Sequence, residues 1–207
     1  MPRKIDLTKL KQRAHKEIKS LLDRIQHAED SKFDYLLIRW MSAMTAVELH
    51  GIWERYAENR IVAGLNHDSS HFICEEAISG VSHVTVGLAS FIVRGGNKYF
   101  DFRSMADLIS KADRWMGPSQ KNPFRSLTVH DRNYIDALAA IRNCVVHGSD
   151  AARSTYRTKL KSVYGILYTP EPDEFLNAKD SRAVSPLRYQ TRLKGIASVI
   201  QRSIAQS

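Results

Sequence analysis

The run YIDALAAIRNCVVHG, residues 134–148, decides how this 207-residue chain folds. Its apolar side chains recur at intervals of three and four residues, which is typical of a helix that buries one face. These side chains are Tyr134, Ile135, Leu138, Ile141, Val145 and Val146. Thr128 or Asp131 can cap the start of this helix, and Gly148 can end it. The sequence therefore predicts a long helix that ends beside a histidine.

The same spacing predicts helices on both sides of this run. They cover residues 7–28, 33–63, 71–93 and 105–115, a segment beginning at Ser149 or Asp150, and a last helix beginning at Ser185-Pro186. Residues 71–93 are rich in β-branched side chains that also suit strands, but their length favours a helix. Residues 64–70 are predicted to be a turn, with Gly64 ending the helix before it, and residues 169–184 a loop. The predicted fold is an all-α bundle of six or seven helices.

Two of these helices have a clear predicted buried face. For residues 33–63 it consists of Leu37, Trp40, Met41, Met44, Val47, Ile52 and Tyr56, and for the last helix it consists of Leu193, Ile196, Val199, Ile200 and Ile204. Ser104 and Asp107 resemble a capping box at the start of the helix over 105–115. We predict three segments: a basic N-terminal helix (1–30), a main helical bundle (31–168), and a loop with an amphipathic helix that packs on the bundle (169–207).

The net charge of +9 is unevenly distributed. Lysines and arginines outnumber acids by eight to three in residues 1–26 and by ten to four in residues 151–207, whereas residues 27–150 hold thirteen against fifteen. Basic flanks attract polyanions such as nucleic acids, but ordinary solvated helix faces have the same composition. The charge distribution therefore favours a polyanionic partner without establishing one.

The sequence also bears on the cellular compartment. Cys74 and Cys144 provide neither a disulfide framework nor a CxxC metal pair. The first residues are charged and lack the apolar core of a signal peptide. No apolar run reaches the roughly 20 residues needed to cross a bilayer. We therefore expect a soluble, cytoplasmic protein with no membrane partner.

The motif that best suggests a catalytic site consists of Arg142, Asn143 and His147. Arginine binds phosphate through two parallel hydrogen bonds, and histidine transfers protons near neutral pH. Five residues of helix correspond to about 140° of rotation and about 7.5 Å of rise, so one helix is not expected to direct Arg142 and His147 at the same phosphate. This spacing predicts a site built from two copies of the helix in a symmetric dimer. The chemistry would be attack of a ribose 2′-hydroxyl on the adjacent phosphorus.

The motif Arg142-Asn143-x3-His147 near the end of a late helix resembles the HEPN superfamily, the helical domains of many prokaryotic toxin and defence ribonucleases. The segment from Tyr99 to Trp115 and the acidic, aromatic run over residues 46–54 are similar to that family as well. The similarity covers residues 33–165 and is greatest to RiboL-PSP-like and other stand-alone prokaryotic members. It implies a HEPN-like bundle, here with additional N- and C-terminal helices, that dimerises with the motif at the dimer cleft.

The resemblance also implies roles for particular residues. Arg142 and His147 would carry metal-independent RNA cleavage with no cofactor, and Asn143 would orient the site. An acid of the early helix would support the arginine, and Glu48 is preferred to Glu54. As a toxin, the protein would need a neutralising antitoxin protein. Basic side chains that follow the motif helix would either bind RNA at the rim or form an ordinary solvated face: Arg153, Arg157, Lys159 and Lys161.

Four alternatives remain open at this stage. Many HEPN members lack activity, so the chain could instead be a non-catalytic module that binds RNA, a nucleotide or a protein partner. The basic ends would also suit a DNA-binding regulator. Cys144 lies three residues before His147 and could act as a nucleophile, although its apolar neighbours favour a core role. The histidines of His67-Asp68-Ser69-Ser70-His71, together with Cys74 and His83, have metal-like spacing, but a capped turn explains them better and no metal is predicted.

Overall fold

The structure is a computed structural model that describes residues 4–117, 122–166, 169–179 and 190–207. Within these ranges the chain forms α-helices and no β-strand, so the prediction of an all-α fold is confirmed. The helices are α1 (Leu7–Asp30), α2 (Tyr35–His67), α3 (Ser70–Glu75), α4 (Val86–Arg94), α5 (Met105–Met116), α6 (Val129–His147), α7 (Asp150–Tyr164), α8 (Pro172–Asn177) and α9 (Arg192–Gln206), with a short 3-10 helix at Pro123–Ser126.

The helices form two compact units. Unit 1 consists of residues 1–14, 53–127 and 204–207, and unit 2 consists of residues 15–52 and 128–203. In unit 1 the buried rings of Trp53 and Phe124 pack edge-on, with centroids 6.1 Å apart. In unit 2 the buried ring of Phe175 packs edge-on against Tyr164, with centroids 4.9 Å apart. Unit 2 contains the whole of α6 and α7, and the predicted division into three segments stays a prediction.

Several predicted helix boundaries are confirmed by the caps that form there. The hydroxyl of Ser104 accepts a hydrogen bond from the Asp107 amide at 3.2 Å at the start of α5. The hydroxyl of Thr128 accepts one from the Asp131 amide at 3.1 Å at the start of α6. Each cap provides a partner for an amide that has none within its own helix. The five apolar residues predicted for the face of α9 are all buried.

The predicted helix end at Gly64 is wrong, because α2 continues to His67. The Gly64 carbonyl accepts a hydrogen bond from the Asp68 amide at 2.9 Å, so the residue lies within the helical hydrogen-bond pattern. A Cβ atom at this position would come within 2.5 Å of the Met116 Cε atom. Glycine at position 64 therefore permits a close approach of the α5 side chain Met116.

The predicted single helix over residues 71–93 is also wrong. The chain forms α3 and α4 instead, and residues 76–85 between them are not helical. Ala77 adopts a positive φ of 49°, which ends α3. Thr85 then has an extended backbone, and its hydroxyl accepts a hydrogen bond from the Leu88 amide at 3.4 Å, which begins α4. The apolar periodicity continues across residues 71–93, but the backbone at Ala77 and the cap at Thr85 divide the segment into two helices.

Part of the predicted loop over residues 169–184 is helical, because α8 occupies Pro172–Asn177. Proline in the first turn and acids at Asp173 and Glu174 are typical of a helix start. The predicted start of the last helix at Ser185-Pro186 lies outside the described residues, and α9 is described from Arg192.

The predicted buried face of α2 is wrong over its first two turns, where Leu37 and Trp40 are 42% and 59% exposed. In this part of unit 2, α8 contacts α2 through Arg39 and Ser42, whose side chains lie 2.8 Å from the Asp173 carboxylate and 3.1 Å from the Asn177 Oδ1 atom. These contacts leave five large apolar side chains exposed. We call them the α2 apolar cluster: Phe33, Tyr35, Leu36, Leu37 and Trp40.

Asp131 anchors the first turn of α6 within unit 2. Its side chain is 2% exposed, and it accepts hydrogen bonds from the Thr128 hydroxyl at 2.9 Å and the Arg202 guanidinium at 2.5 Å. Burial by itself raises the pKa of Asp131, but the hydrogen bonds from Arg202 and Thr128 outweigh it, so the pKa lies below its ordinary value. The folded state therefore favours the charged carboxylate.

We expect Asp131→Asn to lower the free energy of unfolding by about 2 kcal/mol at neutral pH, because it removes a charge-assisted hydrogen bond from a buried position. The depressed folded-state pKa makes this contribution fully present above about pH 4, and it is lost as the pH falls through the folded-state pKa. Urea unfolding of both proteins at neutral and acidic pH measures the difference. Asp23→Asn removes an exposed acid and serves as the control; equal effects of the two substitutions would contradict the anchoring role.

Candidate functional site

The candidate site lies in unit 2, where α6 ends and the chain reverses into α7. Gly148 adopts the left-handed conformation with φ 58°, and its amide donates to the Cys144 carbonyl at 3.0 Å. Glycine takes this conformation at little cost. Ser149 immediately caps α7 by accepting a hydrogen bond from the Ala152 amide at 3.3 Å. The predicted helix end at Gly148 and the predicted start after it are both confirmed, and His147 occupies the last turn of α6.

The structure brings Arg142, Asn143 and His147 together within one chain. One Arg142 nitrogen, Nη1, lies 2.8 Å from the Asn143 Oδ1 atom and 3.2 Å from the His147 Nε2 atom. The two side chains of one helix therefore contact each other despite the rotation between their positions, and the expectation that one helix does not direct both at the same phosphate stays a prediction. Helical side chains lean toward the N-terminus, so His147 leans back over the preceding turn, and the long arginine side chain spans the remaining rotation.

These contacts determine which hydrogens of Arg142 remain for a ligand. A guanidinium can only donate, so the His147 Nε2 atom must accept, which requires a neutral imidazole in this arrangement. The two hydrogens of Nη1 are used by Asn143 and His147. Within the described part of the chain, the Nε and Nη2 atoms of Arg142 have no hydrogen-bond partner. This pair of nitrogens forms an edge that can bind two phosphate oxygens in parallel.

The site is open to solvent. Asn143 and His147 are exposed, and Arg142 is partly exposed. A ligand as large as a nucleic acid could therefore reach all three side chains. The cleft between two copies of the chain stays a prediction.

Glu48, the acid predicted to support Arg142, contacts a different arginine. Glu48 is exposed on α2 and lies 3.3 Å from the Arg24 guanidinium of α1. Its only ion pair among the described residues is this one, so the structure does not bring Glu48 to the motif. Glu54 lies on the section of α2 that belongs to unit 1. The spacing of residues along α2 could not distinguish an acid that faces α1 from one that faces α6.

The four basic residues predicted at the rim all lie on α7, but their surroundings differ. Arg153 donates from Nε to the Gly148 carbonyl at 3.2 Å and pairs with the Glu171 carboxylate at 3.2 Å. Lys159 pairs with Asp136 of α6, also at 3.2 Å. Arg157 and Lys161 are exposed and form no ion pair with any described residue.

Sequence reasoning missed the two acids of these pairs. Glu171 directly precedes α8 and is 18 residues from Arg153, while Asp136 is 23 residues from Lys159. Neither pair has a local spacing signal, because each forms only when separate helices pack together. The pairs divide the predicted rim into two compensated cations and two that carry uncompensated charge.

Cys144 has the core position that its apolar neighbours predicted. The side chain is buried, and burial is the main cause of a raised pKa of its thiol, with the Glu171 carboxylate adding to the rise and Arg153 and Arg157 opposing it. A thiolate is the reactive form of cysteine. Burial and the raised pKa therefore both argue against a nucleophilic role.

The residues of the alternative metal site have other contacts in unit 1. The His67 Nε2 atom lies 2.7 Å from the Ile5 carbonyl oxygen, and the His83 Nε2 atom lies 3.4 Å from the Asn66 Nδ2 atom. Among the described residues, no three histidine, cysteine or acidic side chains come together in a way that could hold a metal ion. This segment therefore offers no preformed ligand set.

Comparison of the chain with protein-family models, with curated proteins and with solved structures finds no match. None of the described helices combines the length and the apolar character needed to cross a membrane.

We expect Cys144→Ala to leave any activity of the site within about two-fold of the unsubstituted protein, because the thiol is buried in the core and is not a nucleophile. In the folded protein, iodoacetamide should alkylate the exposed Cys74 well before Cys144. Peptide mass spectrometry over time measures both rates. A loss of activity in a Cys144→Ala variant that still folds would support the cysteine-nucleophile alternative.

Proposed function

We propose that this chain is a metal-independent endoribonuclease of the HEPN type. The observation that carries the proposal is the contact of the Arg142 Nη1 atom with both Asn143 and His147, which leaves the Nε–Nη2 edge of the guanidinium for a phosphate. A phosphate-binding group and a proton-transferring group therefore lie side by side at an exposed helix end. The resemblance of the Arg142-Asn143-x3-His147 motif to HEPN ribonucleases supports the same reaction.

In the proposed reaction, Arg142 binds the scissile phosphate and stabilises the charge that develops on its oxygens. The phosphate oxygens accept the Nε and Nη2 hydrogens, and the exposed His147 ring turns its Nε2 atom from the Arg142 Nη1 atom toward the ribose. The Nε2 atom then takes the proton of the ribose 2′-hydroxyl, whose oxygen attacks the adjacent phosphorus. The bond from phosphorus to the 5′-oxygen breaks, and the leaving oxygen is protonated. The products are a 2′,3′-cyclic phosphate and a 5′-hydroxyl.

The proton for the leaving oxygen is the reason to propose a homodimer. One histidine that is accepting a proton from the 2′-hydroxyl cannot donate one in the same step. A second copy of the chain would supply as the acid a protonated His147 whose ring has turned away from its own Arg142, and proton exchange with water would restore both histidines. We propose that the α2 apolar cluster forms the interface, since a group of exposed large apolar side chains marks an association site.

The biological setting is proposed on the same basis. A ribonuclease without a cofactor can act wherever RNA is present, so we propose a cytoplasmic toxin or defence protein that a neutralising antitoxin protein holds in check. The free thiols of Cys74 and Cys144 are consistent with a reducing compartment. Expression of the protein should arrest the growth of a host, and the His147→Ala variant should not.

We expect Arg142→Ala and His147→Ala each to lower the rate of RNA cleavage by at least about 100-fold, which is the usual contribution of a general base or a charge-stabilising group. Arg142→Lys should also be strongly impaired, because lysine keeps the charge but lacks the forked edge. Cleavage of a labelled RNA in the presence of EDTA measures the rate. Mapping of the product ends tests for the cyclic phosphate.

His130→Ala is the matched control for this experiment. His130 is an exposed histidine at the other end of α6, 17 residues and about 25 Å of helix from His147. This control should cleave at the unsubstituted rate. Cleavage that is unaffected by both Arg142→Ala and His147→Ala would refute the proposed site. An unsubstituted protein that binds RNA but does not cut it would instead be a non-catalytic module.

We expect Trp40→Lys to convert the dimer into a monomer, because it replaces an exposed apolar side chain of the proposed interface with a charge. Light scattering after size-exclusion chromatography measures the mass, and cleavage should fall with the loss of the dimer. Val129→Lys is the control, since Val129 is 71% exposed on α6 outside the α2 apolar cluster. A monomeric unsubstituted protein that cleaves RNA would contradict the requirement for a second copy.

A further inference from the structure

Three cations of α7 lie in one row. Arg153, Arg157 and Lys161 are spaced four residues apart, so each lies about 6 Å along the helix from the previous one and is rotated by about 40°. We call this row the α7 cationic ridge. Arg157 and Lys161 are exposed, and 43% of the Arg153 side chain is exposed. The ridge is therefore a line of positive charge on one face of the helix.

The ridge begins at the candidate site. The Arg153 Nε atom donates to the carbonyl oxygen of Gly148 at 3.2 Å, and Gly148 directly follows His147. From this point α7 folds back alongside α6, as the pairing of Lys159 with Asp136 shows, and the ridge runs along α7 to Lys161. A strand with one phosphate at Arg142 could therefore continue along the ridge.

The charges of the ridge are not balanced by its own helix. The only acid of α7 is Asp150 in its first turn, so no acid lies four residues from Arg157 or Lys161, where a helix usually places a compensating partner. Glu171 compensates Arg153 alone. Lys159, by contrast, is rotated by about 160° from Arg157 and from Lys161, and it pairs with Asp136. Among the cations of the ridge, only Arg157 and Lys161 therefore lack an acidic partner within the described residues.

The side chains next to the ridge indicate how a ligand would be contacted. Ser154 and Thr158 are small, and the Thr158 hydroxyl is used by the Ser154 carbonyl at 3.0 Å. Tyr156 is buried, and its hydroxyl donates to the Pro170 carbonyl at 3.1 Å. Tyr164, the other aromatic residue of α7, is half-buried and packs its ring against Phe175. Neither ring is therefore presented for stacking on bases, which is how single-strand binding proteins contact bases directly. The ridge can contact phosphates but offers no aromatic platform for bases.

From these observations we infer that the α7 cationic ridge binds successive backbone phosphates of a single-stranded RNA on one side of the cleaved linkage, with little sequence preference. This inference rests on the proposed function and names its substrate class. The spacing of about 6 Å is close to the separation of neighbouring phosphates in an extended single strand. One row of charge suits one strand, whereas an acidic protein partner would also need apolar contacts that this face of α7 lacks.

The experiment measures binding and does not depend on cleavage. A fluorescent oligouridine with 2′-O-methyl groups has no 2′-hydroxyl and cannot be cut by the proposed reaction. Its affinity is measured over a range of salt concentrations for the unsubstituted protein and for Arg157→Gln, Lys161→Gln and Lys159→Gln. Lys159→Gln changes the net charge by the same amount on the same helix but lies off the ridge.

We expect Arg157→Gln and Lys161→Gln each to weaken binding several-fold and to reduce the slope of log affinity against log salt by about 0.7, the value for one phosphate contact on a single strand. Lys159→Gln should leave the slope unchanged. An equal effect of all three substitutions would overturn the ridge in favour of a general charge effect. So would equal or tighter binding of a 2′-O-methyl duplex, or competition by poly-glutamate as effective as that by the oligonucleotide.

The outcome is separable from that of the proposed function. Cleavage that depends on Arg142 and His147, with ridge variants that bind like the unsubstituted protein, would overturn the ridge alone. Binding that depends on the ridge in a protein that does not cleave RNA would overturn the proposed ribonuclease and leave the ridge as the binding site of a non-catalytic module.

Discussion

The reversal of the chain at Gly148 is the constraint on which the candidate site depends. A residue without a side chain adopts φ 58° there, ends α6 directly after His147 and allows α7 to begin at Asp150. Arg153 can then return to the Gly148 carbonyl. A helix that continued past Gly148 would carry Arg153 away along its axis. The turn thus places the proposed catalytic residues and the beginning of the ridge at one end of α6.

The other end of α6 is fixed by charge. Asp131 is buried and receives hydrogen bonds from Thr128 within its own turn and from Arg202 of α9. A buried carboxylate is stable only when its hydrogen-bonding capacity is satisfied. With both ends of α6 defined in this way, Arg142 and His147 project from a rigid element of unit 2, which favours a precise arrangement of the groups that would contact a phosphate.

Sequence patterns predicted local backbone structure better than they predicted which side chains contact each other. The caps at Ser104, Thr128 and Ser149 follow from the hydrogen-bonding chemistry of single residues, and the structure confirms them. The rotation between Arg142 and His147 predicted side chains pointing apart, yet their nitrogens are 3.2 Å apart. The rotation about the helix axis describes where the Cβ atoms lie. A long arginine side chain can contact a group whose Cβ atom lies on another part of the helix surface.

The sequence by itself determined the all-α class, the end of α6 and the presence of arginine, asparagine and histidine there, because helix periodicity and helix caps are local properties. Tertiary structure decided the rest. It divided residues 71–93 into two helices and left Trp40 exposed. It paired Glu48 with Arg24. It also paired Lys159 with Asp136 and left Arg157 and Lys161 uncompensated among the described residues. Charge compensation between separate helices depends on how they pack, and residue spacing along one helix carries no information about its neighbour.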